Sequence, residues 1–283
     1  MQTNGMILAC KKCISDTFWE CFMPAISATP ALYILKTGST LPALAAAHGD
    51  FEDWITQGLA GTPLDIRVLD AHACTAANWQ WPERSAMAGL VITGSHDMVT
   101  DGADWCLRCE DWLRSLAEQD LPLLGICFGH QLLAQALGGQ VAPHPAGLEL
   151  GTVPVDAQRA AALDPLWHDL PARFQAHAVH YQSVRRLPAG AQVLAANPHE
   201  PHHGFRWGAH AWGVQFHPEF DALVMQAYVD HVRHSLHSHA LSSADTSEWP
   251  VCSTPWAARL LPRFAHYAHQ QLLTDTAPQS CTA

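Results

Sequence analysis

The sequence predicts an α/β fold: an open, mostly parallel sheet flanked by helices, with antiparallel additions. Two observations carry this. Short apolar runs alternate with helix-patterned segments through the first 140 residues, and a denser series of short strand-like runs follows. Alternation of the first kind produces β-α-β crossovers, which cover a sheet on both faces.

The elements follow in order. Residues 1–29 hold no sustained period and read as an N-terminal extension. ALYILK (31–36) is a buried strand, LPALAAAHGDFEDWITQGL (41–59) a helix entered through Pro42, and DIRVLDA (65–71) a second strand. AGLVIT (88–93) is a third strand, closed by Gly94. Over 103–118, Trp105, Cys109, Trp112, Leu113 and Leu116 recur at spacings of three and four, the stripe of a helix packed on a sheet. LPLLGI (121–126) is the fourth strand, and FGHQLLAQAL continues from it as a helix. Strands are then expected within 140–155, 175–184, 191–197, 204–208 and 211–217, and a helix over 219–238. Residues 239–254 read as a linker after a domain spanning 30–238, and 255–283 as a C-terminal helix and tail.

Composition narrows the function. The chain has 283 residues, 48% hydrophobic, a formal charge of −11 and only 14% charged residues. That is a folded chain with one large core. The acidic balance disfavours nucleic acid as a partner. No run approaches the roughly 18 apolar residues of a membrane span. Nine irregularly spaced cysteines in a chain of this length fit a reducing cytoplasm better than a disulfide framework.

The chemistry concentrates in two motifs. In GICFGHQ (125–131) a cysteine stands between two glycines where a strand turns into a helix. Glycines at such a turn remove side chains that would collide, lifting the nucleophile above the sheet. At a helix N-terminus the macrodipole favours thiolate, and the Phe128 N–H can bind an oxyanion. Ninety residues after Cys127, GVQFHPEF (213–220) supplies His217 as a base and Glu219 to orient it, with Pro218 stiffening the turn between them. HEPHH (199–203) formally fits a zinc motif, but Pro201 breaks the helix that motif needs. The pairs Cys10 with Cys13 and Cys106 with Cys109 read as packing cysteines rather than a zinc site.

GICFGHQ followed by GVQFHPE resembles the class I glutamine amidotransferases, from about Ala31 to residue 236. The resemblance implies the family's flavodoxin-like fold and a Cys127–His217–Glu219 triad that cleaves a γ-glutamyl amide through a thioester. It implies an oxyanion hole from the backbone of Phe128, Gly94 and Ser95, within VITGSH (91–96), where Ser95 and His96 replace the family's usual Gly and Pro. It also implies substrate contacts from Gln131 and from Val179 and Tyr181 in VHYQSV (179–184). No metal or organic cofactor is required. The substrate is glutamine or another γ-glutamyl compound, and a synthetase that accepts ammonia is the protein partner the family suggests. The roughly 45 residues after 238 are too short for such a synthetase, so a standalone glutaminase domain resembling that of GMP synthase is the leading expectation. A γ-glutamyl-amine or γ-glutamyl-peptide hydrolase acting alone is the alternative, and a non-catalytic regulator of the same fold the second.

Overall fold

The computed structural model describes residues 29–75, 80–238 and 249–276. The expected N-terminal extension, Cys10 and Cys13, and the first ten residues of the expected linker lie outside the described residues, apart from Thr29.

Nine described strands form one sheet in the order β2-β1-β3-β4-β11-β10-β9-β6-β7. Its parallel half comprises β1 (Ala31–Lys36), β2 (Ile66–Asp70), β3 (Met87–Ile92), β4 (Leu123–Ile126) and β11 (Ala211–Val214). The antiparallel half adds β6 (Glu149–Ala157), β7 (Arg173–His180), β9 (Gln192–Ala196) and β10 (Gly204–Trp207). A separate ribbon pairs β5 (Gln140–Pro143) with β8 (Gln182–Arg186).

Alternation along β1 shows how the sheet is covered. Leu32 and Ile34 face a cluster with Ile55 of α2 (Phe51–Gly58), with Leu59 that caps it, and with Leu260, Leu261 and Phe264 of the C-terminal helix α6 (Leu260–Thr276). Tyr33 and Leu35 face the other cluster, with Trp105, Trp112 and Leu113 of α3 (Asp104–Glu118) and Leu132 and Leu133 of α4 (Phe128–Ala136). Thus α6 is a layer of the sheet's core rather than a detached appendage. Residues 249–254, the end of the expected linker, also dock: Thr152 N–H donates to Pro250 O at 2.8 Å, and Cys252 N–H donates to Thr152 Oγ1 at 3.0 Å.

Several expected elements differ in extent. The helix expected over 41–59 is two: α1 (Pro42–His48) and α2, broken at Gly49, whose φ is +85°, and restarted by Asp50. Asp50 forms a reciprocal capping box with Asp53, and its Oδ1 also accepts the Thr40 and Phe51 N–H groups at 2.7 and 2.8 Å. Capping competed successfully with the apolar period. Asp50→Ala is expected to cost about 0.5–2 kcal/mol, read as a lower urea midpoint at unchanged slope. The run 140–155 splits into β5 and β6, and 175–184 splits into β7 and β8 at Tyr181. The late helix is α5 (Ala222–Ser238), so Phe220 precedes it.

Candidate active site

The parallel strands β3 and β4 end at the same rim, and the turns after them meet there. Cys127, N-cap of α4, takes φ 51° and ψ −103°, a region costly for a residue with a Cβ. The flanking glycines explain how the turn fits. A Cβ on Gly125 would stand 2.4 Å from Gly129 O, and one on Gly129 would stand 2.4 Å from Ile92 O. Cys127 N–H donates to Val214 O at 2.8 Å and Gly129 N–H to Thr93 O at 3.1 Å, which ties the turn to β11 and β3.

β11 runs directly into the second motif. His217 N–H donates to His177 O at 2.8 Å, which fixes the backbone of the turn. The His217 Nδ1 lies 2.7 Å from Glu219 Oε1. Because a carboxylate accepts, Nδ1 carries the proton and Nε2 is left for the thiol side. The ring is 2% exposed and stacks on Phe220 at 4.0 Å and on Phe51 at 6.2 Å, so it cannot swing away. Burial by itself would lower the His217 pKa. The Glu219 charge and the Cys127 thiol beside the ring outweigh it and move the pKa upward.

Gly94 packs against His217, since a Cβ there would sit 3.1 Å from the ring's Cε1. Thr37 locks that turn, its Oγ1 donating to Thr93 O at 3.0 Å and to Gly94 O at 3.1 Å. Ser95 avoids positive φ, so serine at the place of the family's glycine costs no backbone strain. Its Oγ turns aside to accept the Asp97 N–H at 3.0 Å.

A pocket of about 280 Å³ opens over these groups, lined among others by Ser95, Cys127, Phe128, Gln131, Val179, Tyr181 and His217. Glu219 lies behind His217, and Gly94 supports it from the side. The Cys127 Sγ lies 3.7 Å from Val179 O. Gln131 Nε2 donates to Gln182 O at 2.9 Å and to Gln215 Oε1 at 3.0 Å. Both amide hydrogens are thereby engaged, and the carbonyl oxygen is what Gln131 can offer a ligand.

Sequence reasoning missed a buried charged cluster behind Val179 and Tyr181. Glu149 Oε2 lies 2.8 Å from His180 Nε2 and 3.1 Å from His203 Nε2, while Oε1 accepts from Asn197 Nδ2 at 2.8 Å. Its members come from distant segments with no common spacing. Burial would raise the Glu149 pKa, but hydrogen bonds and charge from His180 and His203 hold it well below its ordinary value. Its stabilising contribution is therefore complete above that value and is lost progressively as pH falls below it. Glu149→Gln is expected to flatten the acid limb of Tm against pH, measured by calorimetry from about pH 6 to about pH 3. The HEPHH segment, in which His203 lies, forms a turn rather than a helix.

Comparison with known proteins completes the site's setting. Residues 45–229 match the family Glutamine amidotransferase class-I. The chain belongs to this family. It is 36% identical to the GMP synthase (glutamine-hydrolyzing) of Aeropyrum pernix over 132 residues, covering 47% of this chain and 24% of that protein. It is 32% identical to Gamma-glutamyl peptidase 4 of Arabidopsis thaliana over 147 residues, covering 51% and 58% of the two chains. The match thus spans less than two thirds of either relative. The structure of a glutamine amidotransferase from Thermotoga maritima superposes with a TM-score of 0.58 at 18% identity, covering 87% of this chain and 97% of that one. The fold is the class I amidotransferase fold, a mostly parallel central sheet with flanking helices. Among the described residues, no helix is long and apolar enough to cross a membrane.

Proposed function

We propose that this chain hydrolyses a γ-glutamyl amide bond through a thioester on Cys127. The observation that supports this most is a strained cysteine at a helix N-terminus that lines one pocket with a buried imidazole, whose pKa it helps to raise and which is held 2.7 Å from a carboxylate. The thiolate attacks the side-chain carbonyl and forms the S–C bond. The N–H groups of Phe128 and of the Gly94–Ser95 turn receive the oxyanion. The C–N bond breaks as His217 Nε2 gives its proton to the departing amine. Water, deprotonated by the same nitrogen, cleaves the thioester and restores the thiol, with free glutamate as product. Gln131 Oε1 and the backbone at Val179 and Tyr181 hold the α-ammonium and α-carboxylate of the glutamyl group.

The pairing of GMP synthases with γ-glutamyl peptidases among the relatives leaves two fates for the nitrogen. Either ammonia passes to a separate synthetase, as in the GMP synthase reading, or the chain works alone on a γ-glutamyl amine or peptide. A rate that rises on adding a co-purifying synthetase supports the first.

The test is glutamate release from glutamine and a panel of γ-glutamyl amides, with acid-quenched mass spectrometry for the γ-glutamyl adduct on Cys127. No turnover and no adduct with any of them would sink the proposal. His217→Ala and Glu219→Gln are each expected to lower kcat about 10²–10⁴-fold, seen in the same assay, with near-native circular dichroism.

A further inference from the structure

The wall of the pocket beside His217 has no role in the steps above. The departing nitrogen must lie on the imidazole side of the scissile carbon, because His217 delivers its proton. Phe51 and Phe220 stack with the ring, and Gly94 abuts its edge, so a substituent on that nitrogen has to run past the imidazole. It would run past the contact of His96 Nε2 with the Tyr228 hydroxyl, at 3.1 Å, into the space lined by Leu41 and the later turns of helix α5 (Ala222–Ser238).

That helix presents one face to the pocket. Tyr228, His231, Val232, Ser235 and Leu236 all line it, at positions i, i+3, i+4, i+7 and i+8. The eight steps from Tyr228 to Leu236 make a wall about 12 Å long. Ammonia, close to water in size, would need only about 30 Å³ and several polar partners. Leu41, Val232 and Leu236 supply none, the Tyr228 hydroxyl is already engaged by Thr40 Oγ1 at 2.8 Å and His96 Nε2 at 3.1 Å, and the Ser235 hydroxyl donates back to His231 O at 3.0 Å. The lining contains no lysine or arginine, and its only carboxylate is Asp97. An amine that carries a carboxylate, as an amino acid or peptide does, would find no lysine or arginine to pair with there and would face Asp97. Burial and the nearby His217 and His231 also keep the His96 pKa low, so that ring adds no positive charge at neutral pH.

Resting on the hydrolase reading above, we infer that the preferred substrate is the γ-glutamyl conjugate of an organic amine with an apolar body and no carboxylate, such as an alkyl or arylalkyl amine. The reaction is the same hydrolysis: the C–N bond breaks, the amine leaves with the proton from His217, and glutamate is freed by water. The apolar body packs along Val232 and Leu236.

The experiment compares kcat/KM of the full chain for glutamine, γ-glutamyl-ethylamide, γ-glutamyl-butylamide, γ-glutamyl-phenethylamide and γ-glutamyl-glutamate. About three- to four-fold is expected for each added methylene that the wall buries, so the butyl and phenethyl amides should exceed glutamine at least ten-fold. γ-Glutamyl-glutamate should fall below both. Leu236→Arg should shift the ratio of γ-glutamyl-glutamate to phenethylamide turnover at least ten-fold toward the carboxylated substrate. Cys127-dependent turnover in which glutamine or γ-glutamyl-glutamate is the best substrate overturns this inference and leaves the hydrolase reading standing. Absence of turnover and of the Cys127 adduct with every compound overturns both.

Discussion

Cys127→Ala is expected to lower γ-glutamyl amide hydrolysis by about 10⁴-fold or more, measured as glutamate release under substrate saturation. On the proposed mechanism the loss of the sulfur removes the covalent route, while the proposed oxyanion donors and glutamyl contacts stay in place, so KM should change little. The fold should survive, because alanine retains the Cβ and the same φ of 51° as cysteine, and the strain at this position is neither relieved nor increased. A second consequence separates a reacting thiol from a merely packed one. The Cys127 thiol is one of the causes that raise the His217 pKa, after Glu219 and against burial. In Cys127→Ala the imidazole pKa should fall, followed by NMR of the ring protons. An unmoved His217 titration would mean that the two side chains do not share a proton.

Much of this site could be read before any coordinates. Cys127, His217 and Glu219 belong to two short contiguous motifs, each written around a strand end, and β3, β4 and β11 align those ends at one rim. The inner strands of the parallel half are legible because both faces are covered, which makes β1 and β3 unbroken apolar runs. What escaped reading depends on local competition or on distant partners. Gly49 and Asp50 divide an apolar period that runs on either side of them, and no spacing rule weighs a cap against a stripe. Glu149, His180 and His203 meet only through the antiparallel pairing of β6 with β7 and the turn before β10. Within the helix expected over 219–238, Phe220, Leu223, Val224, Ala227, Tyr228 and His231 recur at helical spacing and read as one face. Yet Leu223 is 51% exposed, and the later turns of the helix line the pocket instead. A period of 3.6 identifies a helix face without saying whether protein or ligand covers it.

Gly129→Ala is expected to destabilise the chain by about 3 kcal/mol or more, the upper end of overpacking costs, against a total of about 5–15 kcal/mol for a native domain. The added Cβ would stand 2.4 Å from Ile92 O and 2.8 Å from both Ile92 C and Ile92 Cβ. None of these atoms belongs to a flexible side-chain end. Ile92 is held in β3, in register with Leu35 of β1 and Gly125 of β4, so moving it means shearing the centre of the sheet. The alternative is to lift α4 off β3, which would break the Gly129 N–H bond to Thr93 O and carry Cys127 away from His217. Either route should show as a lower urea midpoint, and any folded fraction should have lost more activity than stability. Gly147→Ala is the control for backbone conformation. Its φ is +80°, but nothing lies within 4 Å of the added Cβ, so only the conformational cost of roughly 1 kcal/mol remains. Equal losses in the two variants would show that positive φ, rather than the close approach of α4 to β3, governs where this chain needs glycine. A larger loss at Gly129, with catalysis falling alongside, would tie the sheet's centre directly to the position of the thiol.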